Sequence, residues 1–172
     1  MISRMMRAAA LDRHLYEEVE ADSSAIVQAI AIVVLVSIVR GISTLGESAN
    51  VITGIGLGVA GGLVSWSIWA FLTYIIGVKL LSAQTTSSSW GELARVTGFA
   101  QTPGLLFILV LVPVVGQFLA VPVLIWQLLA MVVGIRQALD YTSTLRAVAV
   151  VLIGFVVVAI IQYILFAFTV GV

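Results

Sequence analysis

The stretch Ala147–Val170, AVAVVLIGFVVVAIIQYILFAFTV, decides what kind of protein this is. It holds no charged residue, and at about 1.5 Å of rise per residue a helix of this length spans the roughly 30 Å hydrocarbon core of a bilayer. Working back along the chain, four more stretches meet or approach that requirement: about 118–135, 96–112, 51–81 and 25–42. The composition agrees. The 172 residues are 62% hydrophobic and 9% charged, whereas a soluble domain carries roughly 25% charged residues. Too few charges exist to clothe a water-facing surface, so lipid must be the solvent. The expectation is an all-α integral membrane protein, a five-transmembrane-helix bundle over 25–172, preceded by a cytoplasmic amphipathic segment over 1–24.

Orientation follows from the basic residues in the short loops. Arg4, Arg7, Arg13, Lys79, Arg95, Arg136 and Arg146 fall on the side of the N-terminus, against Arg40 alone on the other. That bias predicts the N-terminus in the cytoplasm and the C-terminus outside. The first apolar run begins near Ala25, after Glu17, Glu18, Glu20 and Asp22. It therefore reads as a retained first span, not a cleavable signal peptide.

Three local features refine the layout. Ala8, Leu11, Leu15 and Val19 recur at three- and four-residue spacing, which predicts an amphipathic helix from Ala8 to Val19, on the membrane surface or against the bundle. Asp22, Ser23 and Ser24 can cap the first span, and Asn50 the second. Serines before Trp90-Gly-Glu-Leu-Ala can cap a short helix ahead of the third span. Pro103 interrupts that span and predicts a break in it, and Pro113 with Gly116 predicts a tight turn before the fourth.

Gly54, Gly58 and Gly62 form a GxxxGxxxG stripe in the second span. Four residues bring a side chain back to one helix face, and missing side chains let another backbone come close. The stripe serves either contact within the bundle or association with a partner. The break at Pro103 likewise reads as a satisfied kink or as a broken helix lining a binding site. Beside it stand Gln101 and Thr102, and elsewhere in the spans Gln127 and Gln162, with Trp66, Trp69 and Trp126. These uncharged polar groups seek partners in hydrocarbon, each interhelical bond contributing about 1 kcal/mol. Arg40 stands near the outer end of the first span, where it can snorkel to the interface.

Catalytic machinery is not visible. Cysteine is absent and His14 is the one histidine, which removes thiol chemistry, a serine triad, paired-histidine zinc sites and buried haem ligation. The glycine run lacks the lysine and strand of a phosphate loop. No cofactor and no metal are expected. A formal net charge of zero gives no attraction to nucleic acid.

Leu11-Asp12, Tyr16-Glu17-Glu18-Val19-Glu20, Trp90-Gly-Glu-Leu, Gly98-Phe-Ala-Gln-Thr-Pro103, Pro113 with Gly116, Trp126, and Arg136-Gln-Ala-Leu-Asp140 before Arg146 occur in that order. The set resembles the Yip1 family of five-span membrane proteins, in particular its short prokaryotic members. The resemblance implies a multi-pass protein of a prokaryotic cytoplasmic membrane with no known enzymatic activity. Eukaryotic relatives act in vesicle trafficking and meet prenylated small GTPases through a long cytoplasmic N-terminal region. With only about 24 residues here, that role does not carry over. The functional expectation is a non-enzymatic scaffold or accessory subunit in contact with lipids and with other membrane subunits or a second copy. The alternative is a channel or transporter for an uncharged or lipidic substrate, with Gln101, Thr102, Gln127 and Gln162 along its path.

Overall fold

A computed structural model gives the architecture and describes residues 1–43, 51–84, 86–112 and 115–170. Helices α1 (Ile2–Ala9) and α2 (Arg13–Ala21) form an N-terminal hairpin. They are followed by α3 (Ala25–Ser43), α4 (Val51–Tyr74), a π-helical extension Ile75–Leu80, α5 (Trp90–Phe99), a 3-10 helix Thr102–Leu111, α6 (Val115–Ala138) and α7 (Thr144–Val170). Among the described residues no strand occurs, and five segments are long and apolar enough to cross a membrane: Ala25–Ile42, Ile52–Leu80, Trp90–Leu111, Phe118–Ala138 and Thr144–Ile164.

The helices alternate in direction, and close glycine contacts set their register. A Cβ placed on Gly62 would lie 1.9 Å from Ser37 Oγ, and one on Gly41 would lie 3.7 Å from Gly54 O, so α4 runs antiparallel to α3. A Cβ on Gly98 would lie 2.7 Å from Ala29 Cβ and one on Gly104 would lie 3.0 Å from Val36 Cγ1, which sets α5 and its 3-10 continuation parallel to α3. A Cβ on Gly134 would lie 2.7 Å from Val96 Cγ1, and one on Gly154 would lie 3.0 Å from the Trp69 ring. At each crossing a small residue lets two backbones approach, the usual device where lipid removes any hydrophobic drive between helices.

The single amphipathic helix expected over Ala8–Val19 is divided in two. Leu11 takes a left-handed φ of 61°, and Asp12 caps α2 by accepting from His14 N–H at 3.0 Å. Such a cap needs a non-helical residue just before the new helix, so a continuous helix cannot pass. The turn brings opposite charges together. Arg4 bonds Glu18 at 2.8 Å and Asp22 at 3.0 Å, while Arg7 bonds Asp12 at 2.8 Å and Glu18 at 2.6 Å. Leu15, Tyr16 and Val19 on α2 are fully buried, with the Tyr16 ring against Gly134 and its hydroxyl donating to Ala8 O at 3.1 Å. Arg95 on α5 donates Nε to Val19 O at 2.9 Å and Nη2 to Glu20 O. A cation thus satisfies carbonyls that the end of α2 leaves without helical partners.

The short helix expected before the third span is the span's own first turn. Ser89 accepts from Glu92 N–H and the Glu92 carboxylate accepts from Ser89 N–H, a reciprocal cap that starts α5 at Trp90. The α-helix ends at Phe99, and Pro103 sits in the first turn of the 3-10 segment, where its missing N–H costs no internal bond. The Asn50 cap and residues 113–114 of the expected Pro113–Gly116 turn lie outside the described residues.

Burial is uneven along the bundle. The fully buried residues Ala25, Ala29, Ile32 and Val33 of α3, Ala70 of α4, Leu93, Ala94 and Val96 of α5, Ala130 and Ile135 of α6, and Ala147 and Val150 of α7 all belong to the half nearer α2. The far half packs less tightly, and a cleft opens there.

Candidate functional site

Four helices build the cleft, each with one face. Val36, Ser37, Arg40 and Gly41 come from α3; Gly58, Gly62, Ser65, Trp66 and Trp69 from α4; Leu124, Gln127, Leu128 and Met131 from α6; Phe155, Val158 and Gln162 from α7. Spacings of three and four place each set on one side of its helix. Gln101, at the junction of α5 and the 3-10 segment, completes a wall around about 550 Å³. Leu124 is 47% and Phe155 44% exposed, and Ser65 and Gln162 are also exposed, so the cleft communicates sideways between α4 and the α6–α7 pair.

The floor is closed. The Trp69 and Phe155 rings meet with centroids 4.8 Å apart, and Trp69 rests on Gly154. Beyond them lies the sealed core of Ala70, Ala130 and Val150. From Gly58 to Trp69 is about 16 Å of helical rise, about half the hydrocarbon thickness.

Arg40 is turned inward. Its Nη2 donates to Gln127 Oε1 at 2.7 Å and its guanidinium lies 5.2 Å from the Phe107 ring centroid. Both Val36 and the Gln127 amide approach the same point over Gly104, so the guanidinium reaches back about one helical turn from its own Cα. These two contacts reach into the bundle, while Arg40, three residues before the end of α3, is itself exposed. Other polar groups are spent locally. Ser37 donates to Val33 O at 2.7 Å, Thr102 to Phe99 O at 2.7 Å and Trp66 Nε1 to Ala94 O at 3.1 Å. Trp69 Nε1 differs, being buried without a hydrogen-bond partner.

Of the residues singled out in the sequence, Gln101, Gln127, Gln162, Gly58 and Gly62 converge on the cleft. Thr102 and Pro103 are buried behind it, and Gly54 lies against Gly41. The glycine stripe thus faces α3. Sequence reasoning did not assign Arg40, Ser37, Ser65 and Trp69 to a shared site. Their helical spacing, Ser37 with Gly41 and Ser65 with Trp69, was the available signal.

A second, shallower cleft of about 450 Å³ lies at the α2 end among Arg13, His14, Glu17, Arg136, Gln137, Asp140, Tyr141 and Thr142. Its groups serve structure. Gln137 Nε2 donates to Glu17 at 2.7 Å, and Arg136 donates to Tyr141 O at 3.1 Å and Thr142 O at 3.0 Å. Among the described residues no group of three His, Cys, Asp or Glu could hold a metal ion.

A five-span helical chain with a docked N-terminal hairpin and one sided cleft now has a match among known families. The model of the Yip1 domain aligns with residues 12–166, nearly the whole chain. The chain belongs to the Yip1 family. Membership makes it an integral, multi-pass membrane protein whose helices meet lipid. No curated protein and no solved structure gives a significant match. In this Yip1 protein, Gln101, Gln127 and Gln162 gather around the cleft.

Proposed function

We propose that this Yip1 protein is a non-enzymatic membrane protein that holds a lipid from one leaflet in the cleft of its far half. The observation carrying this reading is the blind depth of the cleft, about half the hydrocarbon thickness, with Arg40 and three glutamines above an apolar floor of Trp69, Met131 and Phe155. An intramembrane arginine is costly and marks a functional site by default. A polar wall over an apolar floor suits an amphiphile, and the sideways opening admits one from the bilayer. The sealed core beneath argues for holding a lipid, not for conducting a solute across. The basic-residue bias supports an outer-leaflet position for the cleft.

The test is lipid retention. Purified in mild detergent, the protein is expected to carry about one lipid per chain in native mass spectrometry. Val158→Trp, which fills the cleft from α7, should lose it while helix content and melting stay unchanged. A parent protein without lipid, or a filled variant that retains it, would overturn the reading.

A role as scaffold or accessory subunit, including self-association, keeps separate support from the outward face of α4. Gly56, Ala60 and Gly61 are exposed, and a Cβ on Gly56 or Gly61 would meet nothing within 4 Å. Such a flat face suits contact with another membrane helix. Gly61→Leu should then shrink the complex seen in mild detergent, and unchanged migration would count against it.

A further inference from the structure

Independently of the cleft, we propose that α1 is an interfacial helix sunk into the leaflet at the α2 end of the bundle, its open flank of Ile2 and Met6 lying against acyl chains. Three observations carry this.

The first is depth. Trp126 stands near the middle of its span, Phe118–Ala138, about 18 Å of helical rise inside the end at Ala138. Its indole N–H donates to Ala9 O at 2.7 Å, so the end of α1 lies within an indole's reach of that level. A second contact agrees. The helix packs on the 3-10 segment Thr102–Leu111, which begins about 18 Å inside the start of the third span at Trp90. In contrast α2 lies shallower, with Tyr16 against Gly134 and Glu17 bonded by Gln137 in the last turns of α6. The hairpin therefore places α2 near the leaflet surface and lets the end of α1 hang below it.

The second is the way α1 divides its surface. Ala8 is fully buried and its carbonyl accepts from the Tyr16 hydroxyl, which marks the seam toward the bundle. Arg4 and Arg7, at three-residue spacing, share a flank and reach Glu18, Asp12 and Asp22. Ile2 and Met6, at four-residue spacing, share the other flank and are 73% and 64% exposed. One flank carries paired charge toward α2, and the other is apolar and open. An interfacial helix is divided in this way, its apolar face sinking about 5–10 Å into the boundary between headgroups and acyl chains.

The third is continuity with the surface that already meets lipid. Ile108 and Leu109 on the 3-10 segment, and Ile125 and Leu129 on α6, belong to the elements that hold α1, and all four are exposed. Within a span such residues face acyl chains. The open flank of α1 extends the same apolar surface sideways. Acyl chains ask for no donor or acceptor, and the Ile2 and Met6 side chains offer none.

The test measures what that flank touches. Because the chain has no cysteine, a single introduced cysteine takes a nitroxide label at one place. In liposomes of dioleoyl phosphatidylcholine and dioleoyl phosphatidylglycerol, electron paramagnetic resonance compares collisions with oxygen, which gathers in hydrocarbon, and with a water-soluble nickel chelate. Met6→Cys should show the high oxygen and lost chelate accessibility of Leu129→Cys on the lipid-facing side of α6. His14→Cys, whose native side chain is 87% exposed on α2, should show the reverse. Should Met6→Cys fail to fold, Ile2→Cys decides in its place. Chelate accessibility at Met6 equal to that at His14 would overturn the proposal, since the flank would then face water. Low accessibility to both reagents would overturn it as well, because a protein surface, such as a second copy, would then cover the flank.

Discussion

Gly61 and Gly62 are neighbours in α4, and the same substitution at each should act with opposite sign. At Gly61 an added methyl group meets nothing within 4 Å. Replacing glycine by alanine inside a helix there should stabilise by about 0.5–1 kcal/mol through reduced backbone freedom. At Gly62 the new Cβ would stand 1.9 Å from Ser37 Oγ and 2.8 Å from Ser37 Cβ. The hydroxyl can rotate, giving up its bond to Val33 O, a loss of about 1 kcal/mol. The Cβ cannot. Against ordinary carbon contacts of about 3.5–4.0 Å, α3 and α4 must separate by most of an ångström, an overpacking cost of about 1–3 kcal/mol. After the helix-propensity gain, Gly62→Ala should destabilise by about 1–3 kcal/mol. Reversible unfolding in mixed micelles, titrated with a denaturing detergent, measures both variants on one scale. Ser37→Gly combined with Gly62→Ala should show a favourable coupling of at least about 0.5 kcal/mol, because the methyl then enters the space left by Ser37. Stabilisation by Gly62→Ala, or absence of that coupling, would refute the assigned α3–α4 register.

Trp126→Phe removes the N–H that donates to Ala9 O at 2.7 Å; it should release α1 at a cost of about 1 kcal/mol, read as faster hydrogen exchange over 2–9 with the spans unaffected. Acid should loosen the hairpin. Arg7 holds Asp12 and, with Arg4, Glu18 below the usual carboxylate range. Their contribution is present above the unfolded values near 4 and disappears as pH falls through the lowered ones, so exchange over α1 and α2 should rise below about pH 4. Glu20 works in the opposite direction. Burial first, then Asp140 and Glu92, raise it to about 7 although Arg95 opposes them. The folded state keeps a proton that the unfolded state loses, so docking of α2 should weaken as pH climbs from about 4.5 through 7, and Glu20→Gln should flatten that slope. Arg95→Ala strips the donors from Val19 O and Glu20 O, and exchange over α2 should increase more than in Trp126→Phe, since charged donors contribute about 1.5–3 kcal/mol.

Spans were legible because their signal is additive: some twenty apolar residues outweigh any local detail. The ends of helices were harder. Leu11 continues the three-and-four pattern that joins Ala8 to Leu15, and nothing in that period marks its left-handed φ. Asp12, two residues before His14, was the cue for a new cap. The serine cap before Trp90 was legible, but that the helix it starts is the span itself was not, because Glu92 and Arg95 dilute the apolar signal there. The candidate site was half visible. Gln101, Gln127 and Gln162 stood out as amides in hydrocarbon. Arg40 did not, since a basic residue near a span end ordinarily reaches outward, and only the third dimension sets Gln127 beside it. The glycine stripe was visible as a contact face, but its partner, α3, could not be chosen from one sequence.

The uneven burial links these observations. Near α2 the bundle is closed by small residues at each crossing, with Gly98 on Ala29 and Gly134 against Val96 and Tyr16. The docked hairpin adds Leu15, Tyr16 and Val19 to that seal. In the far half the glycines at 58 and 62 bring α4 against α3, and this draws it away from α6 and α7 and opens the cleft. One structural device thus seals one end and opens the other. Had the stripe carried larger residues, α4 would stand off α3 and fill the space beside Ser37 and Arg40. The glycine contacts between α3 and α4 and the polar groups on the cleft wall are therefore parts of one arrangement, in which the close approach of two helices leaves the space that Arg40, Gln127 and Gln162 line.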